Sequence, residues 1–130
     1  MTTRTILIAD DEPHLIHILS YNLKRTGAVV HVATNGEQCV ELAKIVLPDL
    51  IISDYQMPLL DGLAAAIQLR ADSRTANIPV LMLTARGHRL TAAQLAQTQI
   101  RAVLPKPFSA RQLLAKINEL LVAPVGVTAA

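Results

Sequence analysis

Five short apolar runs punctuate this chain, and each is followed by a stretch with helical spacing of its large side chains. The runs are Thr5–Ala9 (TILIA), Ala28–Ala33 (AVVHVA), Leu50–Ser53 (LIIS), Pro79–Thr84 (PVLMLT) and Arg101–Leu104 (RAVL). A continuous apolar run suits a strand covered on both faces, as in a parallel sheet flanked by helices. The first helix is expected from Pro13 to about Arg25, with Leu15, Ile18, Leu19 and Leu23 on one face and Thr26-Gly27 as its stop. Asn35 and Gln38 have capping-box spacing for a second helix, which Pro48 ends. Asp61-Gly62 opens a third helix to about Ala71, and an alanine-rich fourth is expected to reach about Gln97. Ser109 and Gln112 cap a last helix carrying Leu113, Leu114, Ile117, Leu120 and Leu121. Strands and helices in strict alternation define an α/β fold, a doubly wound parallel sheet of five strands with five helices.

The 130 residues fit one domain of this kind. Hydrophobic residues are 52% and charged residues 17%, the reverse of a disordered chain. No apolar run approaches the ~18 residues of a membrane span, and the N-terminus lacks a signal-peptide pattern. The expectation is a cytoplasmic protein with no membrane partner. Its one cysteine, Cys39, cannot close an internal disulfide, and no histidine has a cysteine partner at zinc-ligand spacing.

In such a sheet the strand ends carry the chemistry, because ligands bind outside the carboxyl edge. The first strand ends in Asp10-Asp11, the third in Asp54 and the fourth in Thr84, and the fifth leads to Lys106. Taken singly, each has an ordinary role: Asp10-Asp11 as a helix cap, Asp54 as a loop start, Thr84 as strand filler, Lys106 as a surface charge. Taken together they converge on one edge. Three neighbouring carboxylates need a cation or a proton, and an oxygen-only set favours Mg²⁺ over zinc or copper. A lysine, a hydroxyl and a divalent cation facing one carboxylate make a site for a phosphoryl group.

The stretches ILIADDEP, IISDYQMPLLDG, PVLMLTAR and LPKPF, in this order and spacing, resemble the response-regulator receiver domain of two-component signalling, the CheY-like superfamily. The resemblance runs from about Thr5 to Val122. It implies the flavodoxin-like strand order 2-1-3-4-5 and makes Asp54 the phosphoacceptor. Asp11 becomes the direct Mg²⁺ ligand and Asp10 acts through water, with the main-chain carbonyl of Gln56 as a further ligand and Mn²⁺ able to replace Mg²⁺. Thr84 and Lys106 become the phosphoryl-binding and switch residues, and Lys106–Pro107 a cis peptide. The implied partner is a sensor histidine kinase or a histidine phosphotransfer protein. Two positions depart from the family. Val103 stands where an aromatic residue is usual, and Pro105 precedes the lysine, which suits an edge strand.

An Mg²⁺-dependent phosphoaspartyl phosphatase would share the nucleophile and the metal. It needs a proton-transferring Asp two residues after the nucleophile, where this chain has Gln56. The glycines form neither G-x-G-x-x-G nor a P-loop, which argues against a nucleotide-binding module. A receiver fold kept only for protein contacts would not need the full set of polar strand ends. The expected protein is therefore a phosphoacceptor signalling domain and not a turnover enzyme.

Residues 1–83 hold six basic and nine acidic residues, a net −3, whereas residues 84–130 hold six basic and one acidic, a net +5. Arg89, Arg101, Arg111 and Lys116 are thus candidates for a face of helix four, strand five and helix five that meets an output protein or domain with an acidic surface. Nucleic acid is the weaker reading, since no aromatic interleaves these charges. The receiver is expected over 1–123, with 124–130 as a flexible tail, either as a stand-alone regulator or as the N-terminal part of a longer one.

Overall fold

In a computed structural model the chain is described over residues 3–129, with side chains described from residue 3 to residue 121. The strands are β1 (Thr5–Ala9), β2 (Val29–Ala33), β3 (Leu50–Asp54), β4 (Val80–Thr84) and β5 (Ile100–Pro105). The helices are α1 (Pro13–Lys24), α2 (Gly36–Val46), α3 (Gly62–Ala71), α4 (Ala92–Ala96) and α5 (Ala110–Ala129). The five strands form one parallel sheet in the order β2-β1-β3-β4-β5. The expected fold class and strand order are both present. The division expected at 123/124 falls inside α5, and the side chains there lie outside the described residues.

The central strands β3 and β4 are buried at every position, which is why they read as unbroken apolar runs. Alternate side chains enter two cores. Ile6, Ile8, Leu50, Ile52, Leu81 and Leu83 face α1 and α5. On the other face Leu7, Ala9, Ile51, Val80 and Met82 pack with Cys39, Ala43, Ala65 and Leu69 of α2 and α3. Full burial of one such Leu or Ile contributes roughly 1.5–3 kcal/mol, so the two cores fix the sheet that supports the strand ends.

Helix termini follow local chemistry. Asn35 Oδ1 accepts from the Gln38 N–H at 2.8 Å, but the Gln38 side chain accepts from the N–H and hydroxyl of Thr34, not from Asn35. Leu47, left-handed at φ 50°, ends α2 just before Pro48. Ser109 and Gln112 form the full reciprocal pair at the start of α5. The fourth helix is the main departure from expectation. It is only five residues long and buries none of them. The loop expected at Arg86–His88 is present and runs on through Leu90, because this segment has no apolar stripe to hold a helix against the sheet.

β5 carries a bulge. Val80 pairs with Ile100, but Leu81 pairs with Ala102, so Arg101 is the extra residue. The bulge rephases the strand. Ile100 and Val103 join the core of α2 and α3, while Ala102 and Leu104 join the core of α1 and α5. It also turns Arg101 out to solvent. The strand ends with Pro105 beside Thr84, and the Lys106 N–H donates to the Thr84 carbonyl at 2.8 Å.

Candidate functional site

Each polar strand end comes from a different stretch of sequence, and the parallel sheet delivers them to one edge. Asp10 follows β1 and is fully buried, while Asp11, next in the chain, is exposed. Asp54 closes β3 and is largely buried. Carboxylate oxygens of Asp10, Asp11 and Asp54 all lie within 4.8 Å of one another. Lys106 Nζ stands 3.1 Å from Asp54 Oδ1. Thr84 ends β4 with its hydroxyl buried and without a hydrogen-bond partner. Lys106–Pro107 is a cis peptide, as the resemblance implies.

Gln56 lies in the loop after β3, where it lines an open depression with Asp11, Tyr55, Met57, Pro58 and Asp61. That loop is held at both ends: the Gly62 N–H donates to the Tyr55 carbonyl at 2.8 Å, and Asp61 Oδ1 accepts from the Ala64 N–H at 2.7 Å. Gly62 sits where a Cβ would press on the Asp54 carbonyl and come within 3.0 Å of Met82 Sδ. Only a glycine lets α3 start this close to the end of β3.

Concentrated negative charge out of water perturbs the carboxyls. Burial pushes Asp10 up to about 6; the Glu12 N–H, donating to Oδ1 at 2.9 Å, opposes this, and the nearby Asp54 charge adds to it. Burial also holds the Asp54 carboxyl above its usual range, and the hydrogen bond from Lys106 offsets only part of that. Asp10 Oδ2 is buried with no partner. An orphaned buried carboxylate oxygen inside an oxygen-only cluster fits a hard divalent cation.

The four partner-face candidates do not all lie where the sequence places them. Arg89 and Arg111 are exposed, but Arg89 precedes the short α4 and lies in the β4–α4 loop. Lys116 lies 3.9 Å from Glu119 on α5, so its charge is partly matched. Sequence reading missed the ring contact between Tyr55 and His88, whose centroids are 4.4 Å apart with planes tilted by 45°. It joins the β3–α3 loop to the β4–α4 loop beside Asp54. Nothing in the spacing of residues 55 and 88 signals it.

A parallel five-stranded sheet with acids, a hydroxyl and a lysine gathered at its carboxyl edge defines a doubly wound α/β domain with a polar site outside its strand ends. Residues 6–118 match the response regulator receiver domain family, and the chain belongs to it. It is 40% identical over 116 residues to the DNA-binding dual master transcriptional regulator RpaA of Synechocystis sp., a match covering 89% of this chain and 48% of that protein. It is 35% identical over 118 residues to the alkaline phosphatase synthesis transcriptional regulatory protein PhoP of Bacillus subtilis, covering 91% and 48%. The chain therefore spans about half the length of these relatives. Among solved structures, the chemotaxis response regulator CheY4 of Vibrio cholerae superposes with a TM-score of 0.85 at 28% identity, covering 92% of this chain and all of that one. The receiver domain of the sensor histidine kinase PA1611 from Pseudomonas aeruginosa, with magnesium coordinated in its active-site cleft, gives 0.82 at 26% identity, covering 92% and 98%. The chain is thus a receiver domain of the response-regulator kind. Among the described residues, no helix is long and apolar enough to cross a membrane.

The Asp10 shift has a measurable consequence. With its carboxyl raised from 3.8 to about 6, the folded chain binds this proton more tightly than the unfolded one. Its contribution is therefore fully present below pH 3.8 and is lost as pH rises through about 6. Asp54 acts in the same direction. Urea denaturation in EDTA is expected to show stability falling across this window. Asp10→Asn is expected to flatten the fall and to stabilise the metal-free protein at neutral pH by on the order of 2 kcal/mol. A steeper fall in the variant would contradict this account of Asp10.

Proposed function

We propose that Asp54 is the phosphoacceptor and that the chain relays a phosphoryl group from a histidine kinase or phosphotransfer protein to a protein-binding face. The observation that carries this reading is the Asp10, Asp11 and Asp54 cluster with Lys106 3.1 Å from the Asp54 carboxylate. Asp10, Asp11, Asp54 and the Gln56 carbonyl would hold Mg²⁺ or Mn²⁺. When bound, the cation supplies charge neutralisation at the phosphoryl oxygens and relieves the repulsion among the acids.

Within that frame the chain's own residues have distinct tasks. An Asp54 carboxylate oxygen attacks the phosphorus of a phosphohistidine in line; the new P–O bond forms as the P–N bond breaks. The electron pair leaves with the imidazole of the donor, which takes a proton from solvent. Lys106 stays beside the carboxylate and pairs with the phosphoryl oxygens, so the work is mostly positioning and electrostatics. The buried, unpartnered Thr84 hydroxyl has a donor ready for one of those oxygens. Gln56, two residues after Asp54, cannot act as a general base, which suits a persistent acyl phosphate better than turnover. Peptide mapping after incubation with acetyl phosphate tests the assignment. The added group is expected on the peptide containing Asp54 and on no other.

The readout follows from the weakly held α4. Movement of Thr84 toward a phosphoryl group pulls on the loop that follows it. That loop leads into a helix with no buried side chain, next to a β5 whose Val103 is too short to swing as a ring would. Hydrogen exchange with and without beryllofluoride is expected to change across residues 86–97 and little in β5. Changes confined to the pocket loops would overturn this route. Arg89, Arg101 and Arg111, all exposed, give the adjoining face its positive charge. Affinity for the output partner is expected to fall steeply with salt, and a flat dependence would remove the acidic-partner reading. The cytoplasm is the compartment where such a relay operates.

A further inference from the structure

Loop 55–61 carries both the residue after the phosphoacceptor and the Gln56 carbonyl, and hydrogen bonds at Tyr55 and Asp61 fix its two ends. Its tightest bend is at Leu59. The Leu60 N–H donates to the Pro58 carbonyl at 2.7 Å around a Leu59 held at φ 68°. This is a three-residue turn of the uncommon left-handed kind, with a leucine where glycine or asparagine would be at ease. Leu59 is also 77% exposed, so no packing of its own side chain compensates. Something next to it must hold the bend.

That neighbour is the first residue of α2. A Cβ on Gly36 would lie 2.6 Å from the Leu60 carbonyl carbon and 2.7 Å from Leu60 Cβ, and closer still to the carbonyl oxygen. Two backbones therefore touch where no side chain fits. Gly36 itself is firmly seated. Asn35 caps the helix, Gln38 accepts two hydrogen bonds from Thr34, and the Asp10 N–H donates to the Ala33 carbonyl at 3.0 Å. The buttress is thus tied to the same strand end that carries the buried acid. On the other side of the bend Leu60 packs on the core of α2 and α3. The loop is trapped between a rigid helix start and a filled core, and the left-handed Leu59 is the bend that satisfies both.

We propose that Gly36, remote in sequence from every site residue, is a positioning residue for the metal-binding loop: its contact with the Leu60 backbone sets where the Gln56 carbonyl stands relative to Asp11 and Asp54. The proposal rests on the metal-site assignment made above. Gly36 needs no positive φ, so helix propensity alone makes Gly36→Ala neutral or stabilising. The contact makes the opposite demand, because a methyl group there must push the Leu60 carbonyl and the loop outward.

Isothermal titration of Mg²⁺ separates the two. Gly36→Ala is expected to bind Mg²⁺ about tenfold or more weakly than wild type. Its phosphorylation by acetyl phosphate should recover at saturating Mg²⁺, since Asp54 and Lys106 are untouched. Ala43→Gly, a buried change on the same helix, is expected to lower stability while keeping wild-type Mg²⁺ affinity. The pair Gly36→Ala with Leu59→Gly, which gives the bend freedom to yield, should regain part of the lost affinity. Wild-type affinity in Gly36→Ala would overturn the proposal. So would a Gly36→Ala chain that does not fold, since the contact would then serve the core and not the loop. If instead Asp11→Asn binds Mg²⁺ like wild type, the metal-site reading itself fails, whatever position 36 does.

Discussion

Incubated with acetyl phosphate and Mg²⁺, the wild-type chain is expected to gain a single phosphoryl group by intact-mass analysis, and Asp54→Ala none. The effect should be all or nothing because no other carboxylate has the same surroundings. Asp10 is fully buried and engaged with the Glu12 N–H, and Asp11 has no lysine paired with it. Asp54 alone combines a partly open carboxylate, a cation 3.1 Å away and a neighbouring buried hydroxyl without a partner. Lys106→Ala separates uptake from response. It leaves the three acids in place, so Mg²⁺ binding should survive, while the phosphorylated chain loses the cation that holds the phosphoryl oxygens. A weak hydrogen-exchange response in a fully phosphorylated Lys106→Ala is the expected result. An equal mass gain in Asp54→Ala would put the acceptor elsewhere.

The second large effect is expected at Asp11. Of the three acids it is the exposed one, open to an incoming cation from solvent. Asp11→Asn keeps the shape and removes one formal charge. With attraction between a divalent cation and each carboxylate worth several kcal/mol even at a high effective dielectric, Mg²⁺ affinity should drop by roughly 10- to 100-fold. Asp10→Asn should weaken binding too, but with the opposite sign on the stability of the metal-free chain, since it removes a buried charge. Titrating both variants at neutral pH checks the division of labour between the two adjacent residues.

The legible parts of this protein were those fixed by burial on both faces or by a local cap. β1, β3 and β4 announce themselves because their central residues are buried on both faces and apolar, and the polar residues Asp10, Asp54 and Thr84 mark where those runs end. The reciprocal pair of Ser109 and Gln112 is equally local. What stayed hidden depends on neighbours distant in sequence. The bulge at Arg101 exists because β5 must match the phase of β4. The shortness of α4 reflects the lack of an apolar face, which alanine content masks by its high helix propensity. The Tyr55–His88 contact, the bend at Leu59 and the closeness of Gly36 to Leu60 are all relations between loops, and no periodicity encodes them.

Pro105 gives the two rims of the sheet different prospects in a crowded solution. The Lys106 N–H points to β4, so the nitrogen of residue 105, one step back along the strand, faces the open side. Proline leaves no donor there, and the bulge at Arg101 adds a charge and a local twist to the same rim. Another chain seeking to extend the sheet from β5 finds its ladder interrupted at both ends. β2 has no such defence: Val29 and Val32 are 47% and 37% exposed on a short, unbroken strand. Intermolecular strand addition during concentration or partial unfolding should therefore start at β2. A lysine at position 29 or 32 is the substitution that ought to suppress it without touching the phosphoryl site.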